Sequence, residues 1–257
     1  MPSDAKIETE AWVSPSLRSA QENVPAYEMK FVVNTVQAAA LEAWATRHLT
    51  LDPHADPALD NRYRITTLYF DTPTFDVARR TAGYERDKHR IRRYGRADVV
   101  HLERKTKFNG TSTKFRTTLP NANLDEPPAA WAPPWFLAET TERNLAPTAL
   151  ITYERIAFLG LAAGGPIRLT FDRNACGIAA GGYSIDPPNT GTPLLGDQVI
   201  VEMKYLDVLP AFFKDGIETH RLVPAGLSKY RRFATAAGLV PATGPMRNPE
   251  EGTDNDA

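Results

Sequence analysis

Charged residues recur at alternate positions within short segments of this chain that are otherwise apolar. In the segment HRIRRYG, residues 89–95, Ile91 separates Arg90 from Arg92. Side chains two positions apart on a β-strand point to the same face, so this spacing predicts two guanidinium groups on one face and an isoleucine on the other. A fold for this chain must therefore bury the apolar face and give the row of positive charges a suitable environment.

Seven further segments have the alternation or the β-branched and aromatic content of strands, and Gly, Asn or Pro separates several of them. The eight candidate strands are YEMKFVV, RITTLYFD, HRIRRYG, VVHLERKTK, STKFRTTL, LITYERIAF, PIRLTFD and QVIVEMKY. Between the fourth and fifth segments, Asn109 and Gly110 predict a hairpin turn.

Three segments have helical patterns. The first, NTVQAAALEAWATRHL, begins with a candidate cap at Asn34 or Thr35. Its predicted apolar stripe consists of Val36, Ala40, Leu41 and Trp44. The other two, PAFFKDGIETHRL and SKYRRFATAAGL, lie near the end of the chain. Many strands and few helices predict an α+β protein that is mainly antiparallel β, either a barrel or a sandwich with helices packed outside.

The charged faces allow two explanations. In a sandwich with one hydrated face they would be solvated. In a barrel whose apolar faces point outward under the helices, they would line a tunnel. Repetition over most of the strands, together with apolar stripes on the helices, favours the tunnel. The inward candidates are the basic Lys30, Arg90, Arg92, Lys105, Lys114, Arg116, Arg155, Arg168 and Lys204 and the acidic Glu28, Glu103, Asp172 and Glu202.

Such a tunnel would carry an excess of positive charge, with nine basic and four acidic candidates. Two like charges about 4 Å apart repel by about 4 kcal/mol at an effective dielectric constant near 20, so the lining requires a bound anion or counterions. A row of phosphates fits, because arginine binds phosphate bidentately and lysine offers a compact charge. The carboxylates would then hold a divalent cation, Mn²⁺ or Mg²⁺, that also contacts phosphate oxygens.

Composition argues against several other classes. The 257 residues include 30 basic and 31 acidic side chains, so the net charge of -1 does not indicate a general polyanion binder. The single cysteine, Cys176, can form neither an internal disulfide nor a cysteine-rich metal site. We expect a cytoplasmic protein, because no segment approaches the roughly 20 apolar residues of a membrane span and the N-terminus lacks a signal-peptide core. Aromatic residues lie mainly opposite the basic face, which disfavours nucleic-acid stacking.

The two ends differ from the rest of the chain. Residues 1–24 are polar and mixed in charge, and residues 241–257 are rich in Pro, Gly and acidic residues. These compositions predict a disordered arm and a disordered tail around a single domain, residues 25–240.

Nine motifs, spread over about residues 26–239, resemble in sequence and order the VTC domain. That domain is the catalytic part of the vacuolar transporter chaperone, a polyphosphate polymerase. It belongs to the triphosphate tunnel metalloenzymes, which include the CYTH proteins. The motifs are YEMKF, YFDT, RIRRYG, LERK, STKFR, YERIAF, IRLTFD, VIVEMKY and LSKYRRF.

The resemblance implies an eight-stranded antiparallel triphosphate tunnel with a basic interior and helices outside. It implies catalytic roles for Lys30, Arg90, Arg92, Lys105 and Lys229. It implies phosphate-binding roles for Lys114, Arg116, Arg155, Arg168, Lys204 and Ser228. The family's metal ligand matches Glu202, and the other inward acids, Glu28, Glu103 and Asp172, are further candidates for the Mn²⁺ or Mg²⁺ site.

The chain also departs from its relatives. CYTH proteins begin with Glu-x-Glu-x-Lys, whereas Ala26 occupies the first of those positions here. This difference favours the VTC branch and weakens the prediction of a second metal site. The eukaryotic polymerase has a phosphate-sensing SPX domain and membrane-spanning partners, neither of which has a counterpart in this sequence, so regulation and translocation do not carry over.

The implied reaction is metal-dependent phosphoryl transfer on polyphosphate or a nucleoside triphosphate, in which positioning and charge neutralisation provide most of the acceleration. We predict a polyphosphate polymerase that uses ATP. A triphosphatase acting on inorganic or nucleoside triphosphates, and a non-catalytic module that binds polyphosphate or nucleotides, remain open because the same lining serves each. The expected ligands are ATP or another triphosphate and polyphosphate, without nucleic acid.

Overall fold

The computed structural model describes residues 24–121, 124, 126–187 and 190–241. The predicted N-terminal arm lies outside these residues except for Val24, and the predicted C-terminal tail lies outside them except for Pro241. Among the described residues, no helix combines the length and the hydrophobicity that a membrane crossing requires.

Ten strands form one sheet in which every pairing is antiparallel. They are β1 (Ala26–Val33), β2 (Thr50–Leu51), β3 (Tyr63–Asp71), β4 (Asp87–Tyr94), β5 (Val99–Phe108), β6 (Thr111–Pro120), β7 (Ala146–Ala162), β8 (Gly165–Ala179), β9 (Thr192–Pro193) and β10 (Val199–Tyr205). Around the ring the order is β7, β3, β4, β5, β6, β1, β10, β8, and β8 pairs back with β7. This closed eight-stranded barrel confirms the tunnel fold and excludes the sandwich.

The helices of the described residues are α1 (Thr35–Thr46), α2 (Asp76–Arg79), α3 (Pro128–Trp131), α4 (Pro134–Glu142), α5 (Ala211–Thr219) and α6 (Lys229–Ala236), and a 3₁₀ turn lies at Pro57–Leu59. The three predicted helices correspond to α1, α5 and α6. The sequence interpretation missed α2, α3 and α4. Both α3 and α4 begin at a proline, which suits the first helical position because its missing N–H has no partner there.

Each predicted strand is one of the eight barrel strands, and its apolar face points outward under the helices. On one side, the buried residues Leu68, Phe70, Ile91 and Leu102 belong to one cluster with Phe136 of α4 and with Tyr230 and Phe233 of α6. On the other, Phe31, Leu169, Phe171, Val201 and Met203 cluster with Leu41 and Trp44 of α1 and Phe213 of α5. The helices therefore cover the apolar face that alternation predicted, and the charged face is left inside.

Helix α1 begins as predicted but buries a different face. Asn34 caps it, accepting a hydrogen bond from the Gln37 backbone N–H at 2.8 Å. The buried residues are Ala38, Leu41, Trp44 and Ala45. Val36 is 77% exposed and Ala40 is also exposed, so these two members of the predicted stripe are wrong. The reason is geometric, because neither lies three or four positions from Leu41, where helical neighbours share a face.

The boundary between β1 and β6 is the shortest in the barrel. Only two residue pairs join these strands, Ala26 with Ser112 and Tyr27 with Thr111. Beyond them, the edge of β1 contacts the loop after α5, where Ala225 donates its backbone N–H to the Lys30 carbonyl at 2.7 Å. Pro224 forms an isolated bridge with Phe31. A loop therefore completes this part of the barrel wall, and the same loop leads into α6.

A buried carboxylate fixes α2 and α6 to the end of β3. Asp71 accepts hydrogen bonds from the backbone N–H groups of Val77 at 2.8 Å and Ala78 at 2.9 Å. It also accepts from the Tyr230 hydroxyl at 2.5 Å. Asp71 and Tyr230 are both buried, so neither group has water as an alternative partner. The position of α6, and hence of its first residues, depends on this contact.

We expect Tyr230→Phe to lower the free energy of unfolding by about 1.5–3 kcal/mol, because it removes a buried hydrogen bond to a charged group. Urea denaturation with an unchanged m-value measures the loss. Tyr84→Phe is the control, since the Tyr84 hydroxyl donates at 3.3 Å to the Arg143 carbonyl in a partly exposed position. Equal unfolding midpoints for wild type and Tyr230→Phe would contradict the anchoring role.

Candidate active site

The barrel interior is a cavity of about 360 Å³ to which all eight barrel strands contribute. Fourteen of its lining residues are Lys or Arg and three are Glu. The alternation of each strand explains this composition, because it places one charged face inward on most of the strands. The lumen therefore has a large excess of positive charge.

Twelve of the fifteen residues predicted for the site line this cavity. They are Lys30, Arg90, Arg92, Lys105, Lys114, Arg155, Arg168, Lys204, Ser228, Lys229, Glu28 and Glu202. The other three are Arg116, Glu103 and Asp172. Glu103 and Asp172 form ion pairs with the lining residues Arg90 and Arg155, and Arg116 forms an ion pair with Glu103. Strand parity thus brings the predicted residues together in one place.

Glu103 is a buried hub for three cations. Its side chain has no solvent exposure and accepts from Arg90 Nε at 2.7 Å and from Arg116 Nε at 2.9 Å. Lys114 Nζ lies 3.5 Å from the same carboxylate. Burial alone would raise the pKa of Glu103, but Arg90, Lys114, Arg92 and Arg116 hold that pKa well below its usual range. Glu103 therefore stays ionised, and its oxygens are occupied by protein cations.

Asp172 has a similar position on the opposite wall. Arg155 binds it bidentately, with Nε at 2.6 Å and Nη2 at 2.7 Å. Lys229 donates to the same carboxylate at 2.5 Å and lies 4.3 Å above the centre of the Tyr153 ring. Burial would raise the pKa of Asp172, but Arg155 and Lys229 lower it. Lys229 is thus a lumen residue, although it occupies the first turn of a helix.

Glu28 and Glu202 are the two predicted carboxylates that line the cavity, and Glu85 is the third lining carboxylate. Lys105 Nζ lies 2.5 Å from Glu28, and Lys30 Nζ lies 3.4 Å from Glu202. Burial and the neighbouring Glu202 raise the pKa of Glu28, but Lys105 and Lys30 outweigh them and bring it to about 2. Burial also raises the pKa of Glu202, which Lys30 and Lys105 hold well below its usual value. Two ionised carboxylates therefore lie next to each other in a cationic lumen.

Sequence reasoning missed several lining residues. Lys88 lies two positions before Arg90 on β4, so strand parity could have identified it; the predicted strand began at His89, one residue too late. Other missed lining residues include Tyr69, Tyr94, Tyr153, Arg80, Arg86, Lys107 and Arg231. Arg80 and Arg231 lie in or next to short helices, where no strand alternation could place them.

Tyr94 has an unusual environment for a phenol. Arg116 Nη2 lies 3.3 Å from its hydroxyl oxygen. Burial raises the pKa of Tyr94, and so does Glu103, but Arg92, Lys114 and Arg116 outweigh them and lower it to about 7. The cationic lining therefore stabilises the phenolate form of Tyr94 relative to the phenol.

Within the described ranges, no three His, Cys, Asp or Glu side chains come together as a metal site. The carboxylates nearest to that arrangement are Glu28 and Glu202. A hard divalent cation bound to one or two carboxylates completes its shell with water and substrate phosphate oxygens. The donor set of the lumen fits such a cation only when a phosphate ligand is also present.

The fold and the site together define a class, a closed eight-stranded antiparallel barrel whose lumen has a cationic lining. The family model of the VTC domain matches residues 25–236. The chain therefore belongs to the VTC domain family. Among curated proteins, no match was found.

Solved structures with a similar chain path have low identity to this protein. One is from Hippeastrum, named as a candidate adenylyl cyclase with a dominant triphosphatase activity, at 12% identity and a TM-score of 0.48, covering 82% of this chain and 96% of that one. Another, named as a candidate adenylate cyclase, is from Vibrio parahaemolyticus, at 9% identity and a TM-score of 0.45, covering 83% and 99%. A third is the PH1819 protein from Pyrococcus horikoshii, at 11% identity and a TM-score of 0.38, covering 76% and 84%.

Proposed function

We propose that this protein binds a linear chain of phosphates in its lumen and transfers a phosphoryl group from a triphosphate such as ATP to the end of a phosphate chain, as a polyphosphate polymerase. The observation that carries the proposal is the surplus of lining cations, fourteen Lys or Arg with three Glu, in a cavity of about 360 Å³. A run of phosphates matches the sign of this charge and offers each lining cation an oxygen to bind. The VTC family resemblance supports the polymer as product.

The carboxylates of the site divide into two groups. Glu103 and Asp172 neutralise arginines, and their oxygens already accept from two or more cations each. Glu28 and Glu202 face the cavity, and we assign the divalent cation to Glu202, with Glu28 beside it. When bound, Mn²⁺ or Mg²⁺ would polarise phosphate oxygens and offset the charge that develops during transfer.

The side chains of the lumen do most of the positioning. Arg90, Arg92, Arg155 and the lumen lysines hold the phosphates in line, which lowers the entropy cost of bringing donor and acceptor together. An oxygen of the acceptor phosphate forms a bond to the terminal phosphorus of the donor. The bond to the bridging oxygen breaks, and the diphosphate leaves with that electron pair. The fixed cations stabilise the charge on the transferring group without needing to reorganise.

Product analysis tests the proposal directly. The purified protein is incubated with ATP or tripolyphosphate and Mn²⁺ or Mg²⁺, and the products are separated by chain length. Phosphate chains longer than the substrate are expected. Orthophosphate alone would replace the polymerase with a triphosphatase, and binding without turnover would replace it with a binding module.

A substitution of Lys229 tests the role that the family resemblance implies for this residue. We expect Lys229→Ala to weaken triphosphate binding or turnover at least about tenfold, because it removes a cation from the lumen wall. The melting temperature should change by only about 2–4 °C, since Arg155 continues to neutralise Asp172. Lys214→Ala, on the exposed side of α5, removes the same charge outside the lumen and serves as control. Full activity of Lys229→Ala would show that the motif matches the family in sequence but not in role.

A further inference from the structure

Lys88 differs from four of the other lysines that line the lumen. Lys30, Lys105, Lys114 and Lys229 each lie within ion-pair distance of a carboxylate. Among the residues that the structure describes, Lys88 has no carboxylate within that distance. Its one side-chain hydrogen bond goes to the Ser228 hydroxyl, at 3.4 Å. Ser228 is the cap of α6 and also lines the cavity.

The strand register places Lys88 in a row of lysines, where repulsion between like charges destabilises its ammonium form. Lys88 on β4 is directly opposite Lys105 on β5, and Lys105 is directly opposite Lys114 on β6. Like charges in directly opposed positions destabilise a sheet. Glu28 compensates Lys105 and Glu103 compensates Lys114. Within this row of three lysines, Lys88 alone has no compensating carboxylate among the residues that the structure describes.

The charged groups with the largest effect on Lys88 all have the same sign, although Glu28, Glu85 and Glu202 line the same cavity. The groups with the largest effect are Lys30 from β1, Lys105 from β5, Arg90 from its own strand and Arg231 from α6. Burial and these four cations lower the pKa of Lys88 well below its usual value. Glu28 and Glu202 lie within ion-pair distance of Lys105 and Lys30, respectively, and not of Lys88. An anion placed in the lumen would reverse the effect, because a nearby negative charge favours the ammonium form.

We propose that Lys88 binds the phosphate chain directly and takes up a proton from solvent when that chain enters the lumen. This inference rests on the proposed phosphate-binding function. It adds that the bound phosphate chain supplies the negative charge that Lys88 lacks as a partner. The proton moves from the buffer to the Lys88 amine, and no covalent bond to phosphate forms. Anion binding and protonation are then linked, so each strengthens the other.

Calorimetry can count the transferred protons. Tripolyphosphate binding is measured by titration in buffers of different ionisation enthalpy, over a series from neutral to alkaline pH, without metal. The ligand itself exchanges protons, so the informative quantity is the difference between wild type and Lys88→Met. We expect wild type to take up as much as about one proton more than the variant within part of this pH range. The affinity of Lys88→Met should be roughly tenfold lower.

Two further variants separate a specific role from a general loss of charge. Lys88→Arg keeps a cation that does not titrate in this range, so it should bind tripolyphosphate within severalfold of wild type but lose the extra proton uptake. Lys214→Met, outside the lumen, should match wild type in both respects.

Each outcome bears on one of the two proposals. Equal proton uptake in wild type and Lys88→Met, or equal affinity, would overturn the role of Lys88 and leave the phosphate-binding function intact. If wild type itself failed to bind tripolyphosphate, both would be overturned. If the circular dichroism spectrum showed that Lys88→Met is misfolded, Lys88→Arg would decide the question. Proton uptake by Lys88→Arg equal to that of wild type would also overturn the inference.

Discussion

Glu202→Gln should reduce phosphoryl transfer by about a hundredfold or more, equivalent to at least about 2.7 kcal/mol of transition-state stabilisation. The substitution keeps the shape of the side chain and removes the charge that a divalent cation requires. It also removes the charge partner of Lys30, whose Nζ lies 3.4 Å away. Steady-state rates over a titration of Mn²⁺ measure both the loss and the change in metal requirement.

Two variants serve as comparisons. Glu218→Gln removes a carboxylate from the exposed side of α5 and should leave the rate unchanged. Glu28→Gln tests the neighbouring lumen carboxylate. If Glu202→Gln kept the wild-type rate and metal dependence while Glu28→Gln lost them, the metal assignment would move to Glu28.

Glu103→Gln should lower the free energy of unfolding by about 3–5 kcal/mol, because breaking a buried ion pair leaves uncompensated charge behind. Glu103 has no solvent exposure and contacts Arg90, Arg116 and Lys114. Glutamine can still accept hydrogen bonds but cannot neutralise three cations. Denaturant unfolding with an unchanged m-value measures the effect.

Anion binding and pH each test why Glu103→Gln has a lower free energy of unfolding. Tripolyphosphate should restore more stability to Glu103→Gln than to wild type, since the ligand supplies the missing negative charge. The folded-state pKa of Glu103 is depressed, so its contribution is present above about pH 4.5, the unfolded-state value, and disappears as the pH falls through the folded-state value. The stability difference between wild type and variant should therefore narrow in acid.

Glu154→Gln is the matched control for this experiment. Its carboxylate lies 3.7 Å from Arg62 Nη1, and both side chains are about one third exposed. Pairs of this kind contribute about 0–1 kcal/mol. A loss of the same size in both variants would mean that the buried position of Glu103 has no special importance.

The fold could be predicted from the sequence because one physical requirement acts on every strand. Arg90 and Arg92 flank Ile91, and Glu202 and Lys204 flank Met203, so most of the strands show separately which face is charged. The helices then indicate which face is covered. Ile91 and Met203 both point away from the lumen and are fully buried between the barrel and the residues that cover it, as this reasoning requires.

The missed features depend on tertiary contacts that alternation does not encode. Asp52, between β2 and the 3₁₀ turn, binds Arg168 at 3.1 Å, although the two residues lie 116 positions apart. The strands β7 and β8 extend beyond the predicted segments to Ala146–Ala162 and Gly165–Ala179. Ala, Gly and Pro in those extensions have weak strand preferences, so the pairing of one strand with the other determines their length.

The short boundary between β1 and β6 has a mechanical consequence. A linear polymer inside a closed barrel can move only along the barrel axis. The resistance of the barrel wall to lateral opening is limited by the strand boundary with the fewest residue pairs. Five or more residue pairs join the strands at each of the other barrel boundaries, whereas two pairs join β1 to β6. The lateral strength of the tunnel is therefore set there by the loop containing Pro224 and Ala225 rather than by the sheet.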